Sequence, residues 1–423
     1  MSDDASSLAR EMDETAKALR RLVESGGGAT RESARLVGEL ASSLPRRIRR
    51  LSGNRRDTWR RWQSLVLSVD PRKLPFGSGL RLRLWRWRLV KLPRIVETLA
   101  YYLGVMALFR RLNKGSKRVL TFHNVLPDGF CTYDLASGVT LQASRFESLI
   151  ADLKKRYRFS SDFNDPSTLT VTFDDGYRCQ FETAGAILER LGVPGVVFVS
   201  GNVWCADSPE KALVVDRLLY WASYAPMSAL SEFAGSKVES RAAFWHDVMD
   251  PAYRLDAEAR GETVFARADA LWPFEKAVAS LDPEMLRLRL TGPDKNRVGE
   301  LKGNGWKVGW HTKTHFPLAR LSDEDAEREL TPVDPSCLEV PMSFPYGEPD
   351  SVSVRDEEIA RTKGYPGAYS NLSFCNDREG EFFRLRFSPT GDKVEDEAML
   401  SGFRYFMECG RLLGRGESKE VRK

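Results

Sequence analysis

Two histidines and two aspartates are the residues of this chain whose types and spacing could bind a metal ion. His311 and His315 are separated by three residues, in a chain with only four histidines. On a helical turn this spacing puts both imidazoles on one side, where they can chelate one ion. The alternative is a pair of surface histidines that begins a helix. The pair alone is therefore weak support for a metal site.

The two aspartates, Asp174 and Asp175, follow the apolar run 169–173 and precede Gly176. Adjacent carboxylates at the end of a strand cost free energy unless they are solvated or bind a cation. Successive side chains of a strand point to opposite sides, so one acid could ligate a metal while its neighbour acts as a base. The alternative is an aspartate that caps the next helix beside a solvated neighbour.

Asp175, His311 and His315 together would supply one carboxylate and two imidazoles. Such a set suits a divalent metal that keeps open positions for water and substrate. Zinc is the default expectation, and nickel or cobalt fits the same ligands.

The elements that position these residues are an alternation of apolar strands and amphipathic helices. The segment 180–191 has the pattern of a helix between two strands, which makes a βαβ unit and hence a parallel sheet or barrel. The stretch 205–295 has helical patterns and few strands, which indicates an inserted, mostly helical lobe. Residues 322–330 begin with a Ser N-cap and an acidic first turn, typical of a helix. Strands are predicted at 118–122, 169–173, 196–199 and 306–310.

Three ordered motifs in this region resemble those of the polysaccharide deacetylases (carbohydrate esterase family four). They are TFDDGY at 172–177, HTKTH at 311–315 and FPYG at 344–347. The strand that begins at Leu120 and the segments 363–365 and 384–386 are also similar to parts of that family. The resemblance covers about 118–405, with the insertion inside it.

This resemblance implies an α/β fold, a distorted (β/α) barrel with fewer than eight strands. It also implies a hydrolase that removes N-acetyl groups from sugars, acting on C–N bonds other than peptide bonds. By the same resemblance Asp174 is the general base, and the backbone N–H of Tyr346 helps to hold the oxyanion. The metal ligands are then Asp175, His311 and His315.

The sequence departs from the family pattern at two places. Ser343 stands where the third motif often has an arginine that orients the base. No histidine follows His315, so the late Leu-x-His motif that supplies the general acid has no match. His123 is the best substitute because it ends a strand expected to enter the same barrel mouth; otherwise His123 is a buried, hydrogen-bonded residue. His246, in the insertion, is predicted to be structural.

The segment 46–118 is strongly basic, with 21 Lys/Arg against three acidic residues, whereas the whole chain has a net charge of +5. Tryptophans and leucines alternate with its arginines. The apolar run 95–109 is shorter than the about 20 residues that a transmembrane helix needs. This combination favours attachment to an anionic membrane surface. Packing on the main domain is the alternative, and nucleic-acid binding has less support.

The first residues of the chain are acidic and polar, without the apolar segment of a signal peptide, which predicts a cytoplasmic protein at the inner face of the cell membrane. The six cysteines form no C-x-x-C pair and are expected to be reduced. We expect three regions: a helical, basic region 1–117, a deacetylase-like domain 118–405 with the insertion 205–295, and a charged tail 406–423.

Two functions from different classes fit these observations. The preferred one is a metal-dependent deacetylase that acts on an N-acetylated sugar or polysaccharide, lipid-linked or close to the membrane. The alternative is a non-catalytic carbohydrate-binding or scaffold protein on the same fold, which the missing arginine and late histidine favour. The intact aspartate and histidine pairs oppose the alternative, because binding alone needs neither. The sequence makes no prediction of the oligomeric state.

Overall fold

A computed structural model describes residues 92–130, 139–347, 351–373 and 382–409, with isolated positions at 135 and before residue 92. The chain divides into two compact units, Met1–Val105 and Met106–Lys423. The predictions for most of 1–91, and for the tail beyond residue 409, lie outside the described residues.

The strands of the described residues pair in parallel in three sheets. Strands β1, β4 and β5 are buried at every residue, which suits their continuous apolar and β-branched sequences. The four-stranded sheet has the order β1-β4-β5-β6, the three-stranded sheet the order β7-β8-β9, and β2 pairs with β3. The strands are β1 Arg118–Phe122, β2 Asn124–Leu126, β3 Thr140–Gln142, β4 Leu169–Phe173, β5 Gly195–Val199, β6 Lys307–Trp310, β7 Met342–Ser343, β8 Ala368–Ser373 and β9 Phe383–Arg386.

The two larger sheets are joined where the end of β9 runs beside β1. The Thr121 N–H donates to the Phe387 carbonyl at 2.9 Å, and the Phe387 N–H donates to the Val119 carbonyl at 2.9 Å. This contact is parallel, like all the strand pairs. The carboxyl ends of β1, β4, β6 and β9 therefore lie on the same side, where open α/β sheets place their ligands.

The chain between β5 and β6 contains only helices, turns and irregular segments. In the described part of the chain, two π-helical turns, Gln180–Ala184 and Trp245–Met249, and three 3₁₀ turns, Pro209–Lys211, Leu318–Arg320 and Pro335–Glu339, accompany the α-helices. The α-helices are Leu92–Tyr102, Val105–Leu112, Ala143–Lys154, Gly185–Leu191, Gly201–Trp204, Val214–Tyr224, Met227–Ala234, Arg241–Phe244, Asp250–Leu255, Glu262–Leu271, Phe274–Val278, Pro283–Leu290, Lys295–Gly303, Asp323–Glu329, Val354–Thr362, Lys393–Leu400 and Phe403–Cys409.

An aromatic cluster fixes the ends of β1 and β4 beneath the helix Ala143–Lys154. Phe146 of this helix is fully buried and lies 5.0 Å from the ring of Phe122 and 5.8 Å from that of Phe173. Trp306 stacks on the other side of Phe173 at 6.3 Å. Rings packed in this way resist displacement because each lost contact leaves a cavity. The residues that directly follow Phe122 and Phe173 therefore start from fixed positions.

Among the described residues, no single helix is long and apolar enough to cross a membrane. The helices Leu92–Tyr102 and Val105–Leu112 satisfy the criteria of length and composition only together, as a bent pair.

Candidate active site

The chain turns sharply directly after β4, and this turn separates the carboxylates of Asp174 and Asp175. Asp175 has a left-handed backbone, with φ 78°, and Gly176 follows with φ 89°. A Cβ on Gly176 would lie 2.8 Å from Cγ1 of Val199, so only glycine fits there. The prediction that strand alternation separates the two acids is wrong, because both lie beyond the strand. The strained backbone at Asp175 separates them instead.

The segment that carries His311 and His315 is a loop, so the predicted helical turn is wrong. His311 directly follows β6, and its N–H donates to the Val199 carbonyl at 2.9 Å. Thr312 and His315 both have left-handed backbones, with φ 65° and 63°. The Thr312 hydroxyl accepts the N–H of His315 at 3.1 Å. These two reversals bring the imidazole rings to 4.9 Å from each other.

Glu329 anchors this loop from the end of the helix Asp323–Glu329. It is 1% exposed, and its Oε2 accepts the N–H groups of Lys313 at 2.9 Å and Thr314 at 2.8 Å. The Thr314 hydroxyl donates to Oε1 at 2.8 Å, and Arg260 lies 3.2 Å from the same oxygen. The sequence analysis missed Glu329. An acid in the last turn of a helix, where the helix dipole disfavours it, was the available signal.

Asp175, His311 and His315 converge, as the sequence predicts. Oδ1 of Asp175 lies 3.6 Å from Nε2 of each histidine, and one donor atom from each residue lies within 4.8 Å of the others. His311 Nδ1–H donates to the Ser343 carbonyl at 2.8 Å, which leaves the Nε2 lone pair available to a metal. His315 Nδ1 is buried without a hydrogen-bond partner. One carboxylate and two buried imidazoles fit a divalent ion.

Burial governs the protonation of these three groups. Together with the nearby Asp216 and Asp174, and against the lowering effect of His123 and Arg289, it raises the pKa of Asp175 to about 7. It lowers the pKa of His311 to about 3, against the attraction of Asp174, and it also lowers the pKa of His315. The imidazoles are therefore neutral at neutral pH, the form that binds metal. A divalent cation would favour the ionised form of Asp175.

Asp174 is fully buried and bonded at both oxygens to Arg386, which ends β9. Arg386 Nη1 donates to Oδ1 at 2.7 Å, Nη2 donates to Oδ2, and Nη2 also donates to the Ser343 hydroxyl at 2.7 Å. Burial alone would raise the pKa of Asp174, but Arg386 holds it below its usual range. Ser343 takes the position at which the third motif often has an arginine. Arg386, from β9, brings a guanidinium next to the Ser343 hydroxyl instead. The sequence analysis noted Arg386 but assigned it no role.

Gln180 fixes the backbone on both sides of the site. Its side-chain amide donates to the carbonyl of His123 at 2.9 Å and to that of Asp174, and its Oε1 accepts the N–H of Gly176 at 3.2 Å. His123 is half-buried directly after β1, and its charge acts on both Asp174 and Asp175. The structure therefore places His123 beside the acids, whereas His246 is exposed.

Tyr346 follows β7 and lies against the histidine loop. Its backbone is left-handed, with φ 58°, and its ring lies 4.8 Å from that of His315. The guanidinium of Arg254 lies over the phenol ring, 4.7 Å from its centre. Among the described residues no group accepts the N–H of Tyr346. This donor is therefore available to a ligand.

A second buried ion pair reaches the site from the helices between β5 and β6. Arg289 Nη2 donates to Asp216 Oδ1 at 2.7 Å, and the Tyr177 hydroxyl donates to Oδ2. Arg289 is 1% exposed and lies between the rings of Tyr177 at 4.9 Å and Tyr220 at 5.6 Å. Nothing in the sequence connects Asp216 with Arg289, and the sequence analysis missed both.

No protein-family model matches the chain, and no curated protein matches its sequence. Solved structures do resemble it, at low identity. The deacetylase PplD of Streptococcus pyogenes is 11% identical, with 66% of this chain and 96% of that chain covered and a TM-score of 0.39. IcaB from Ammonifex degensii is 18% identical, with 68% of this chain and 97% of that chain covered and a TM-score of 0.39. The de-N-acetylase from Aggregatibacter actinomycetemcomitans is 13% identical, with 66% of this chain and 96% of that chain covered and a TM-score of 0.37.

Polysaccharide deacetylases are among the structural neighbours of this chain. Likeness at these TM-scores carries no argument about activity. The chemistry of the chain follows from its own site residues.

The metal site predicts the metal content of purified protein. His311→Ala and His315→Ala each remove one of three donors, so both variants should lose most of the divalent metal that the unaltered protein retains. His246→Ala is the matched control, because His246 is exposed. Elemental analysis of the four proteins measures this. Equal metal content in all four would exclude the site.

The buried ion pair predicts a large loss of stability in Arg386→Met. This change leaves the Asp174 carboxylate buried without a counter-ion, which should lower the free energy of unfolding by about 3–5 kcal/mol. The double variant Arg386→Met/Asp174→Asn should regain part of the lost free energy of unfolding. Arg384→Met, two residues earlier on β9, is the control and should change little. Urea unfolding measures all four proteins; equal losses in the two arginine variants would contradict the assignment.

Proposed function

We propose that this chain is a metal-dependent hydrolase that removes N-acetyl, or more generally N-acyl, groups from a carbohydrate. The observation that carries the proposal is the convergence of Asp175, His311 and His315 beside a second, separately bonded carboxylate. Three donors for one divalent ion and a neighbouring acid are the parts that metal-assisted hydrolysis of an amide requires. Zinc is the expected metal because its preferred ligands include imidazole and carboxylate.

Asp174 is the proposed general base. A divalent ion held by Asp175, His311 and His315 would supply Lewis acidity and lower the pKa of a bound water. Asp174 Oδ2 lies 3.9 Å from His311 Nε2, so the acid borders the ligand set. Arg386 keeps Asp174 ionised and therefore able to accept the proton of the attacking water. The same arginine weakens its basicity, because a lower pKa means a weaker base.

Tyr346 and His123 are the proposed partners of the charges that develop on the amide. The Tyr346 N–H would donate to the oxygen of the tetrahedral intermediate, a contact that usually contributes a large part of the rate. His123 would protonate the leaving amine. It is half-buried beside the acids, and its electrostatic interactions with Asp174 and Asp175 support this role.

The fold that we propose for this activity is a distorted (β/α) barrel with an inserted helical lobe. The strand order β6-β5-β4-β1 continues through β9 to β8 and β7. The His311–Ser343 hydrogen bond links the ends of β6 and β7 on the other side. Seven strands in this order agree with a barrel of fewer than eight strands, and the helices between β5 and β6 would form the lobe.

We also propose that the protein acts at the inner face of the cell membrane, on a lipid-linked or membrane-proximal sugar. Ile95, Leu99 and Tyr102 recur at helical spacing in the helix Leu92–Tyr102, and all three are exposed. An apolar face of this kind in a strongly basic segment suits the interface of an anionic membrane.

The alternative is a non-catalytic protein that binds a carbohydrate on the same fold. The environment of Asp174 favours this alternative. Arg386 donates hydrogen bonds to both of its carboxylate oxygens, and the side chain is fully buried. The ligand set opposes it, since sugar binding needs no buried metal ligands. Turnover of an acetylated sugar distinguishes the two.

Asp174→Asn tests the general base. The amide cannot accept the proton, so deacetylation of an N-acetylated sugar oligomer should fall by at least about a hundredfold, while the metal content stays unchanged. Asp247→Asn, an exposed aspartate, is the control. Normal turnover in Asp174→Asn would contradict the assignment, and loss of metal would mean that the two neighbouring acids have exchanged roles.

His123→Ala tests the general acid. Turnover should fall for amides with poor leaving groups and change little for an activated aryl ester, whose leaving group needs no proton. His246→Ala should leave both rates unchanged. A packing defect would lower both rates alike, and a ligand role would show as loss of metal. An unchanged ratio of amide to ester turnover would make His123 structural.

A further inference from the structure

A cavity of about 430 Å³ lies at the edge of the sheet opposite to the candidate active site. Arg118, the first residue of β1, lines it, whereas Asp174 follows the last residue of the parallel neighbour β4. Six of the eight lining residues are cationic, and they come from the helix Val105–Leu112 and the turn after it, from β1 and from the segment before β4. They are Arg110, Arg111, Lys114, Arg118, Arg156 and Arg158.

Carboxylates balance only part of this charge. Glu397 is shared by Arg110 and Arg156, and Asp152 also pairs with Arg156 at 2.6 Å. Asp165 pairs with Arg158 at 3.1 Å. Three carboxylates therefore face six cations. Arg111 and Lys114 are exposed and have no ion-pair partner among the described residues.

Arg118 is a buried cation whose charge is not neutralised within the described residues. It is 2% exposed, and its N–H groups donate to three carbonyls: Leu400 at 2.6 Å, Ser116 at 2.8 Å and Asn113 at 2.7 Å. These carbonyls accept its hydrogen bonds but do not neutralise its positive charge. A buried charge without a counter-ion lowers the stability of the folded protein. An anion in the cavity would supply the counter-ion.

The chemistry of the cavity favours a phosphate group. Guanidinium groups bind phosphate oxygens with two parallel hydrogen bonds, and clustered arginines select phosphate over weaker anions. The apolar surroundings favour one source of that phosphate. Leu108 and Leu112 are 55% and 51% exposed, lie one turn apart, and share their helix face with Arg111. Exposed leucines beside cations suit the boundary between headgroups and acyl chains.

We propose that this cavity binds the phosphate of an anionic phospholipid headgroup while Leu108 and Leu112 enter the outer part of the acyl layer. The proposal rests on the membrane attachment proposed above and is independent of the deacetylase chemistry. It adds a folded site, to which Arg156 and Arg158 contribute, to the attachment expected from the basic segment 46–118.

Co-sedimentation of the full chain with vesicles tests this site. Arg111→Gln/Lys114→Gln removes the two unpaired cations from the surface. At about 1 kcal/mol for each charge near an anionic membrane, binding to phosphatidylglycerol-containing vesicles should weaken about 20- to 30-fold. Lys237→Gln/Arg328→Gln removes two exposed cations elsewhere and should bind like the unaltered protein. Turnover of a soluble acetylated oligomer should be equal in all three proteins.

Other outcomes would overturn the proposal. Equal binding by the two double variants would show that the cavity takes no headgroup, even if the basic segment still holds the protein on vesicles. Binding of inorganic phosphate that Arg111→Gln/Lys114→Gln abolishes, with vesicle binding unchanged in the same variant, would make free phosphate the ligand. An equal loss of affinity for duplex DNA and for vesicles would make the surface a nucleic-acid site. Absence of turnover in the unaltered protein, with its vesicle binding intact, would instead count against the proposed function.

Discussion

The rest of the site depends on one buried ion pair, Asp174 with Arg386. A carboxylate that is fully buried loses its hydration, and a guanidinium bonded to both oxygens offsets that loss. Because Asp174 follows β4 and Arg386 ends β9, the pair fixes the distance between the four-stranded and three-stranded sheets. Ser343 of β7 then meets Arg386 through its hydroxyl and His311 through its carbonyl. The proposed base, a proposed metal ligand and three strands are thus positioned by a single charge pair.

The same pair explains why two adjacent aspartates differ so much. Both are buried, and burial raises the pKa of each. Arg386 reverses this effect for Asp174, whereas Asp175 has no cation bonded to it and its pKa rises to about 7. Asp175 faces two neutral imidazoles, and His123 and Arg289 offset only part of the effect of burial on its pKa, so a bound cation would add to the stabilisation of its ionised form. The charge of Asp174 is therefore paired within the protein, whereas the ionised form of Asp175 gains further stabilisation from a bound ligand.

The sequence predicts the strands and the convergence of Asp175, His311 and His315 well for physical reasons. Buried parallel strands are continuous apolar runs, and β1, β4 and β6 lie within one residue of their predicted positions. The local geometry of the site is less accessible. Left-handed backbones at Asp175 and His315 replace the regular strand and helix that their spacing suggests. Arg386 finds its partner only through a tertiary contact, 212 residues away, which no local pattern reports. The position of Glu329 in the last turn of a helix is a local signal, but it does not identify the N–H groups that Glu329 binds.

The long helical segment between β5 and β6 separates strands that are neighbours in the sheet, and this separation affects how the protein can change. The entropy of closing a loop grows with the logarithm of its length, by about 0.6 kcal/mol for each doubling. The segment also has its own packed interior, in which Trp221 contacts Phe233 and Phe244. The length and sequence of this segment can therefore vary with little effect on the stability of the hydrogen-bonded pairing between β5 and β6. Since Asp216 and Arg254 belong to this segment, evolution can exchange the groups around the proposed metal ligands as a unit and select new substrates without rebuilding the sheet.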